Sequence, residues 1–203
     1  MKAYKIFAVI LLIILTGCAG TLESKGARKT RRGAVAGEAP GELSDLTVSA
    51  AEDMNGQVLG SFSTNFNEKE KRRAHNIRLA SDSINQCVVQ PGETFSYNET
   101  VGPTSRKNGY KLSTIFVKGE KEEGYGGGVC QVSSTLYNAA ANAGMVIVER
   151  HDHSRPVPYV EAGKDAATSY GGIDFKFQNN QPFSVMINSR VEGGEISVSI
   201  SAL

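Results

Sequence analysis

Apolar positions along the chain fall into two periodicities, and each predicts a different element. Val132, Leu136, Ala139, Ala140 and Ala143 recur at helical spacing, and Gly144 stands where a helix-terminating glycine belongs. The continuous apolar run Met145–Val148 follows, short enough for a buried strand leaving that helix. Farther on the period drops to two. Ile173, Phe175 and Phe177 alternate with polar residues, as do Phe183, Val185 and Ile187, then Ile196, Val198 and Ile200. Glu192-Gly193-Gly194-Glu195 between the last two runs predicts a hairpin turn.

Upstream, Val58–Thr64 reads as a strand. Asn67, with Glu70 three residues later, resembles a capping box opening a helix that ends around Ile84, with Phe66, Ala74, Ile77 and Ile84 near one face. Cys87–Gln90 and Thr94–Tyr97 read as short strands around a Pro91-Gly92 turn, and Lys111–Lys118 as a further strand. Few helices and an antiparallel C-terminal sheet predict an α+β domain over residues 58–203.

The first 57 residues have another character. Lys2 and Lys5 precede the apolar run Ile6–Leu15, which is as long as a secretory-signal core and shorter than the ~20 residues of a spanning helix. Leu15-Thr16-Gly17-Cys18 has the lipobox pattern, predicting a lipoprotein signal over residues 1–17 and an acylated Cys18 as the mature N-terminus. Residues 18–57, rich in Gly, Ala, Ser and charge with no sustained apolar period, predict a flexible tether. The expected location is extracytoplasmic, with the membrane as partner through lipid on Cys18.

Composition fits a globular domain, with 40% hydrophobic and 21% charged residues. A formal net charge of +1 gives no case for nucleic acid as a partner. With Cys18 spent on lipid, Cys87 and Cys130 remain, and an exported protein permits a disulfide between them. Their surroundings favour two unlike cysteines instead. Cys87 lies in an apolar run, whereas Cys130 follows three glycines and precedes polar residues.

Candidate chemistry gathers at Gly126-Gly127-Gly128-Val129-Cys130-Gln131-Val132-Ser133-Ser134-Thr135, where a loop enters the predicted helix. Unpaired N–H groups and the positive end of the macrodipole bias a thiol at that position towards thiolate. Glycines let a substrate backbone approach, and their amides suit an oxyanion. These are the requirements of a cysteine nucleophile for acyl transfer. A glycine run can equally be a tight turn and Cys130 a packing residue.

Arg150-His151-Asp152-His153-Ser154-Arg155 follows the strand that leaves this helix, so chain return brings His151 or His153 towards Cys130 as general base and acid. The two imidazoles share one face of an extended segment, which also suits a metal with Cys130, but no further ligand stands at a diagnostic spacing. Neither a metal nor a cofactor is assigned. The substrate-contact candidates are Gly126, Gly127, Gly128, Gln131, Ser133, Arg150 and Ser154. The guanidinium forks of Arg150 and Arg155 suit carboxylates, and Asp165 is available to orient a histidine. His75 reads as solvated.

An extended set of these segments resembles the VanW family of bacterial extracytoplasmic proteins. It includes Val89-Gln90-Pro91-Gly92-Glu93-Thr94-Phe95-Ser96-Tyr97-Asn98, the glycine–cysteine segment through Asn138, Glu149–Ser154, and Gly163-Lys164-Asp165-Ala166, and it spans about Ser61–Asn188. Some VanW domains are understood to act as L,D-transpeptidases that use a cysteine to form 3-3 cross-links. The resemblance implies that role for Cys130 and peptidoglycan stem peptides as partners. In the better-known L,D-transpeptidase motif the histidines precede the cysteine, whereas here His151 and His153 follow it. The rival expectations are a non-catalytic module binding peptidoglycan or an envelope protein, and a zinc hydrolase.

Overall fold

The structure is a computed structural model that describes residues 55–117 and 120–203. The predicted lipobox with Cys18, the signal and all but the last three residues of the tether lie outside the described residues. Among the described residues no helix is long and apolar enough to cross a membrane.

The domain is α+β, with nine strands and three α-helices among the described residues, in the order β1 (Val58–Asn65), α1 (Lys71–Ile84), β2 (Cys87–Val89), β3 (Thr94–Ser96), α2 (Tyr97–Val101), β4 (Leu112–Val117), β5 (Glu120–Tyr125), α3 (Val129–Asn142), β6 (Val146–Glu149), β7 (Lys176–Gln178), β8 (Val185–Glu192) and β9 (Glu195–Ala202). A four-stranded sheet runs β1-β9-β8-β2, a three-stranded sheet runs β3-β7-β6, and β4 pairs with β5; every pairing is antiparallel.

Alternation in β8 and β9 turns one face of the large sheet to the core: Val185, Ile187, Ile196 and Ile200 are fully buried. Gly193 and Gly194 both have positive φ in the two-residue turn between these strands, the conformation a tight hairpin demands. Helices α1 and α3 cover that face, with Ile77, Ala80, Ile84, Val132, Leu136, Ala139 and Ala140 in the same core. Removing each Ile, Val or Leu side chain from water contributes roughly 1.5–3 kcal/mol. Gly60 in β1 is required by close packing, because a Cβ there would lie 2.2 Å from the Ala143 backbone nitrogen. The C-terminus of α3 closes as anticipated from Gly144, whose N–H donates to the Ala141 carbonyl while that of Met145 donates to Ala140, a Schellman pair.

Two local expectations give way, and one strand was not anticipated. Helix α1 begins at Lys71, with Glu70 at its N-cap; Asn67 instead closes a preceding turn, its Oδ1 accepting from the Lys69 N–H at 3.1 Å. The Met145–Val148 run is not a buried strand. β6 is an edge strand of its sheet, with Val146 46% and Val148 54% exposed. Strand β5 carries the charged stretch Glu120-Lys121-Glu122-Glu123, which lacks the β-branched and aromatic residues that mark strands, and is recruited by pairing with β4.

Candidate active site

Helix α3 is buried on two sides, and the sequence encodes both. One stripe holds the core residues above together with Gln131 and Thr135, which fix the helix to β1. Gln131 Nε2 donates to Thr64 Oγ1 at 3.1 Å and to the Asn65 carbonyl at 2.9 Å, and the Thr135 and Thr64 hydroxyls meet at 2.8 Å. The opposite stripe, Cys130, Ser133, Ser134, Tyr137 and Asn138, has i, i+3, i+4 spacing and faces the loop between β6 and β7. Ser133 Oγ donates to the Ala166 carbonyl at 2.6 Å, the Ala166 N–H donates to Ser134 Oγ at 2.9 Å, and Asn138 Nδ2 donates to the Lys164 carbonyl at 2.7 Å. The helix that carries Cys130 thus clamps residues 164–166 beside it.

That clamp delivers Asp165. Its Oδ2 accepts from the His153 backbone N–H at 2.7 Å and stands 2.5 Å from His153 Nδ1, while its Oδ1 accepts from Arg150 Nη2 at 3.1 Å. A carboxylate on Nδ1 fixes ring and tautomer and leaves Nε2 for other work. His153 and Cys130 both line a cleft of about 490 Å³, whose walls include Arg73, Tyr97, Gly126, Tyr159 and Tyr170. In this arrangement the Cys130 thiol donates to the Thr168 carbonyl at 3.4 Å, with Thr168 Oγ1 at 3.8 Å.

Electrostatics couple the three groups. Burial raises the Cys130 thiol, but hydrogen bonding to His153 and Thr168 together with the charge of His153 outweighs burial and holds the thiol below its ordinary value. Burial lowers His153, and Cys130 and Asp165 reverse that and hold the imidazole above its ordinary value. Asp165 is pushed up by burial and brought lower overall by its bonds from His153. All three directions favour thiolate, imidazolium and carboxylate together. The Val129 N–H donates to the Gly126 carbonyl and that of Gln131 to Gly128, each at 3.0 Å. Between them the Cys130 N–H meets no backbone acceptor among the described residues.

Other sequence-selected residues lie elsewhere. His151 turns away from the cleft, its Nε2 3.0 Å from Glu149 Oε1, in a surface cluster with Lys176. Arg150 donates from Nε to the Asp165 carbonyl at 2.6 Å, pairs with Asp152, and packs over the Tyr137 ring 5.1 Å from its centroid. Its fork is therefore committed within the protein. Ser133 is fully buried under residue 166, and Ser154 is exposed and off the cleft. Gly126, Gly127, Gly128 and Gln131 do line the cleft. The glycines are also demanded from behind, since a Cβ on Gly127 would meet Ser113 Oγ and one on Gly128 would lie 2.8 Å from Ile77 Cγ1. Cys87 and Cys130 are both free thiols. His75 is bound at the surface to the Gly109 carbonyl, 2.9 Å from Nε2. Among the described residues no group of three His, Cys, Asp or Glu side chains gathers as a metal-binding set. Arg73, Tyr159 and Thr168 are cleft residues that sequence reasoning passed over; the one available signal was the polar stripe of α3, which announced a second packed surface.

Fold and site together define an α+β domain with a Cys–His–Asp constellation opening into a cleft. The family model for VanW like proteins matches residues 72–201, and the chain belongs to that family. It is 49% identical over 144 residues to the uncharacterized protein YoaR of Bacillus subtilis, covering 71% of this chain and 48% of that protein. It is 30% identical over 116 residues to the vancomycin B-type resistance protein VanW of Enterococcus faecalis, covering 55% of this chain and 42% of that protein. The matched segment thus spans less than half of each of these relatives. No solved structure matches the chain.

Proposed function

We propose that the domain is a cysteine acyltransferase of the cell envelope that acts on peptidoglycan stem peptides, as an L,D-transpeptidase forming 3-3 cross-links or as the corresponding carboxypeptidase. The observation that carries this reading is the arrangement at the start of α3: a thiol held below its ordinary value beside an imidazole that a buried carboxylate orients. Kinship with a protein named for vancomycin resistance supports the envelope as its setting, and the lipobox pattern Leu15-Thr16-Gly17-Cys18 supports an extracytoplasmic location with a lipid anchor on Cys18.

In the first half-reaction the Cys130 thiolate attacks the carbonyl carbon between an L-centre and a terminal D-amino acid. The carbonyl π pair moves to oxygen, facing the Cys130 N–H and the positive end of α3. Collapse of the intermediate breaks the C–N bond; the His153 imidazolium gives its proton to the departing amine, and a thioester remains on Cys130. In the second half-reaction an acceptor amine attacks the thioester and neutral His153 takes the amine proton. The C–S bond breaks, and the sulfur leaves as thiolate beside imidazolium. Water in place of the amine gives hydrolysis by the same path. Asp165 holds the ring throughout and changes no bond.

The test is intact-mass measurement of the full chain after incubation with a tetrapeptide-bearing muropeptide. An acyl adduct on Cys130 is expected, absent from Cys130→Ala. Turnover is expected to fall on the order of 10²–10⁴-fold in His153→Ala and to change little in His151→Ala. Turnover by folded Cys130→Ala would overturn the cysteine mechanism, and peptide binding without adduct would make the domain a recognition module.

A further inference from the structure

Among the described residues, the cleft that holds Cys130 is lined by one permanent cation, Arg73. Arg73, on the first turn of α1, is half-buried, and its stem packs against the glycine loop: a Cβ on Gly128 would lie 3.2 Å from Arg73 Cγ. Among the described residues no Asp, Glu or Lys lines this cleft. Arg73 makes no ion pair among the described residues. Its single hydrogen bond there runs from Nη2 to Gln131 Oε1 at 2.8 Å. Gln131 is itself immobilised, because its amide nitrogen is held by Thr64 and Asn65. That relay aims the guanidinium while leaving its other N–H donors uncommitted.

Glu70 and Cys130 are near enough to act on the Arg73 guanidinium, but neither forms an ion pair with it, and a half-buried guanidinium without a paired anion is an unfavourable arrangement for the isolated protein. Burial lowers its pKa, and the charges of Glu70, Tyr159 and Cys130 act against that shift. An anion of planar, forked shape would satisfy it, and a carboxylate matches the guanidinium bidentately. Arg150, the residue whose sequence position suggested carboxylate recognition, has its donors committed to Asp165 and Asp152.

We infer that Arg73 binds the free C-terminal carboxylate of the acyl-donor peptide, so that the domain acts only on a terminal residue and not on internal peptide bonds. This rests on the acyl-transfer reading above and adds its substrate rule. The carboxylate belongs to the residue that leaves, so the contact positions the scissile carbonyl one peptide unit away, at Cys130.

Binding and chemistry are measured separately. The full-length Cys130→Ala protein is titrated calorimetrically with a tetrapeptide ending in a free D-alanine carboxylate and with the same peptide as its C-terminal carboxamide. The acid is expected to bind about tenfold tighter or more, the scale of a charge-assisted contact. Adding Arg73→Gln should abolish the preference, and Arg73→Lys should keep part of it. Thermal unfolding identifies folded variants, and the acid–amide comparison needs no change at Arg73. Equal affinity for the two peptides, no binding of either, or an unchanged preference in folded Arg73→Gln would overturn the inference. In parallel, adduct formation by the wild-type chain is followed with both peptides. Adduct with both at equal rates would sink the Arg73 assignment and spare the cysteine mechanism. An Arg73-dependent binding preference without adduct would do the reverse.

Discussion

The β8–β9 hairpin and the loop between β6 and β7 are held in place by different physics. In the hairpin, Val185, Ile187, Ile196 and Ile200 are fully buried on one face, and the backbone ladder fixes the rest. The loop at 150–175 forms no strand or helix, and individual hydrogen bonds hold it. Ser133, Ser134 and Asn138 grip residues 164–166, the Ala167 N–H donates to the His151 carbonyl at 2.8 Å, and Arg150 reaches across to Asp165. Burial is non-directional, so a hairpin tolerates apolar exchange of similar volume. A hydrogen-bonded loop has no such tolerance, because a group deprived of its partner is left unsatisfied in a dry place. The directional region is the one that carries His153 and Asp165.

The largest expected effect is on the hairpin. Ile200→Ala removes a fully buried side chain from the sheet that α3 packs on, and should lower stability by about 2–5 kcal/mol. Because a domain of this size unfolds cooperatively, a single denaturant transition should move and the residual folded fraction should retain normal peptide binding. Separate transitions for sheet and loop would break the comparison.

Asp165→Asn tests the loop. The amide keeps the volume but loses the charge that Arg150 and His153 share, so turnover should fall on the order of 10²–10³-fold, in the lower part of the general acid–base scale. Stability should change by about 1–3 kcal/mol. Steady-state kinetics on protein shown to be folded provides the check; full activity in folded Asp165→Asn would remove the carboxylate from the site.

The smallest effect lies in the surface cluster around Glu149. The Lys176 ammonium, the Asp174 backbone N–H and His151 hold Glu149 down, from 4.5 to about 2. A folded-state value below the unfolded one means that Glu149 stabilises the protein fully above its ordinary pKa, and that this contribution is lost as pH falls from about 4.5 towards about 2. Thermal unfolding of Glu149→Gln should therefore lie below wild type near neutrality and converge on it in acid. Parallel curves across that range would show that the cluster does nothing for folding.

Periodicity determined much of this protein. It marked α3 and its terminating glycine, both strands of the final hairpin and their turn, and a Gly-Gly-Gly-Val-Cys segment at a helix start. These features are legible because an element's own geometry dictates which residues it buries, and its neighbours in sequence carry the pattern. The site was legible only in part. Cys130 and His153 were named, but His151, two residues away, could not be told from His153 until their partners, Glu149 and Asp165, were known. Arg150 and Arg73 both carry carboxylate-shaped forks. Packing alone decided that the first is consumed by Asp165 and Asp152 and that the second, from a helix more than 50 residues before Cys130, enters the cleft held by Gln131. A polar side chain's role depends on which group meets it across the fold, and that pairing arises only when α1, α3 and the 150–175 loop pack together.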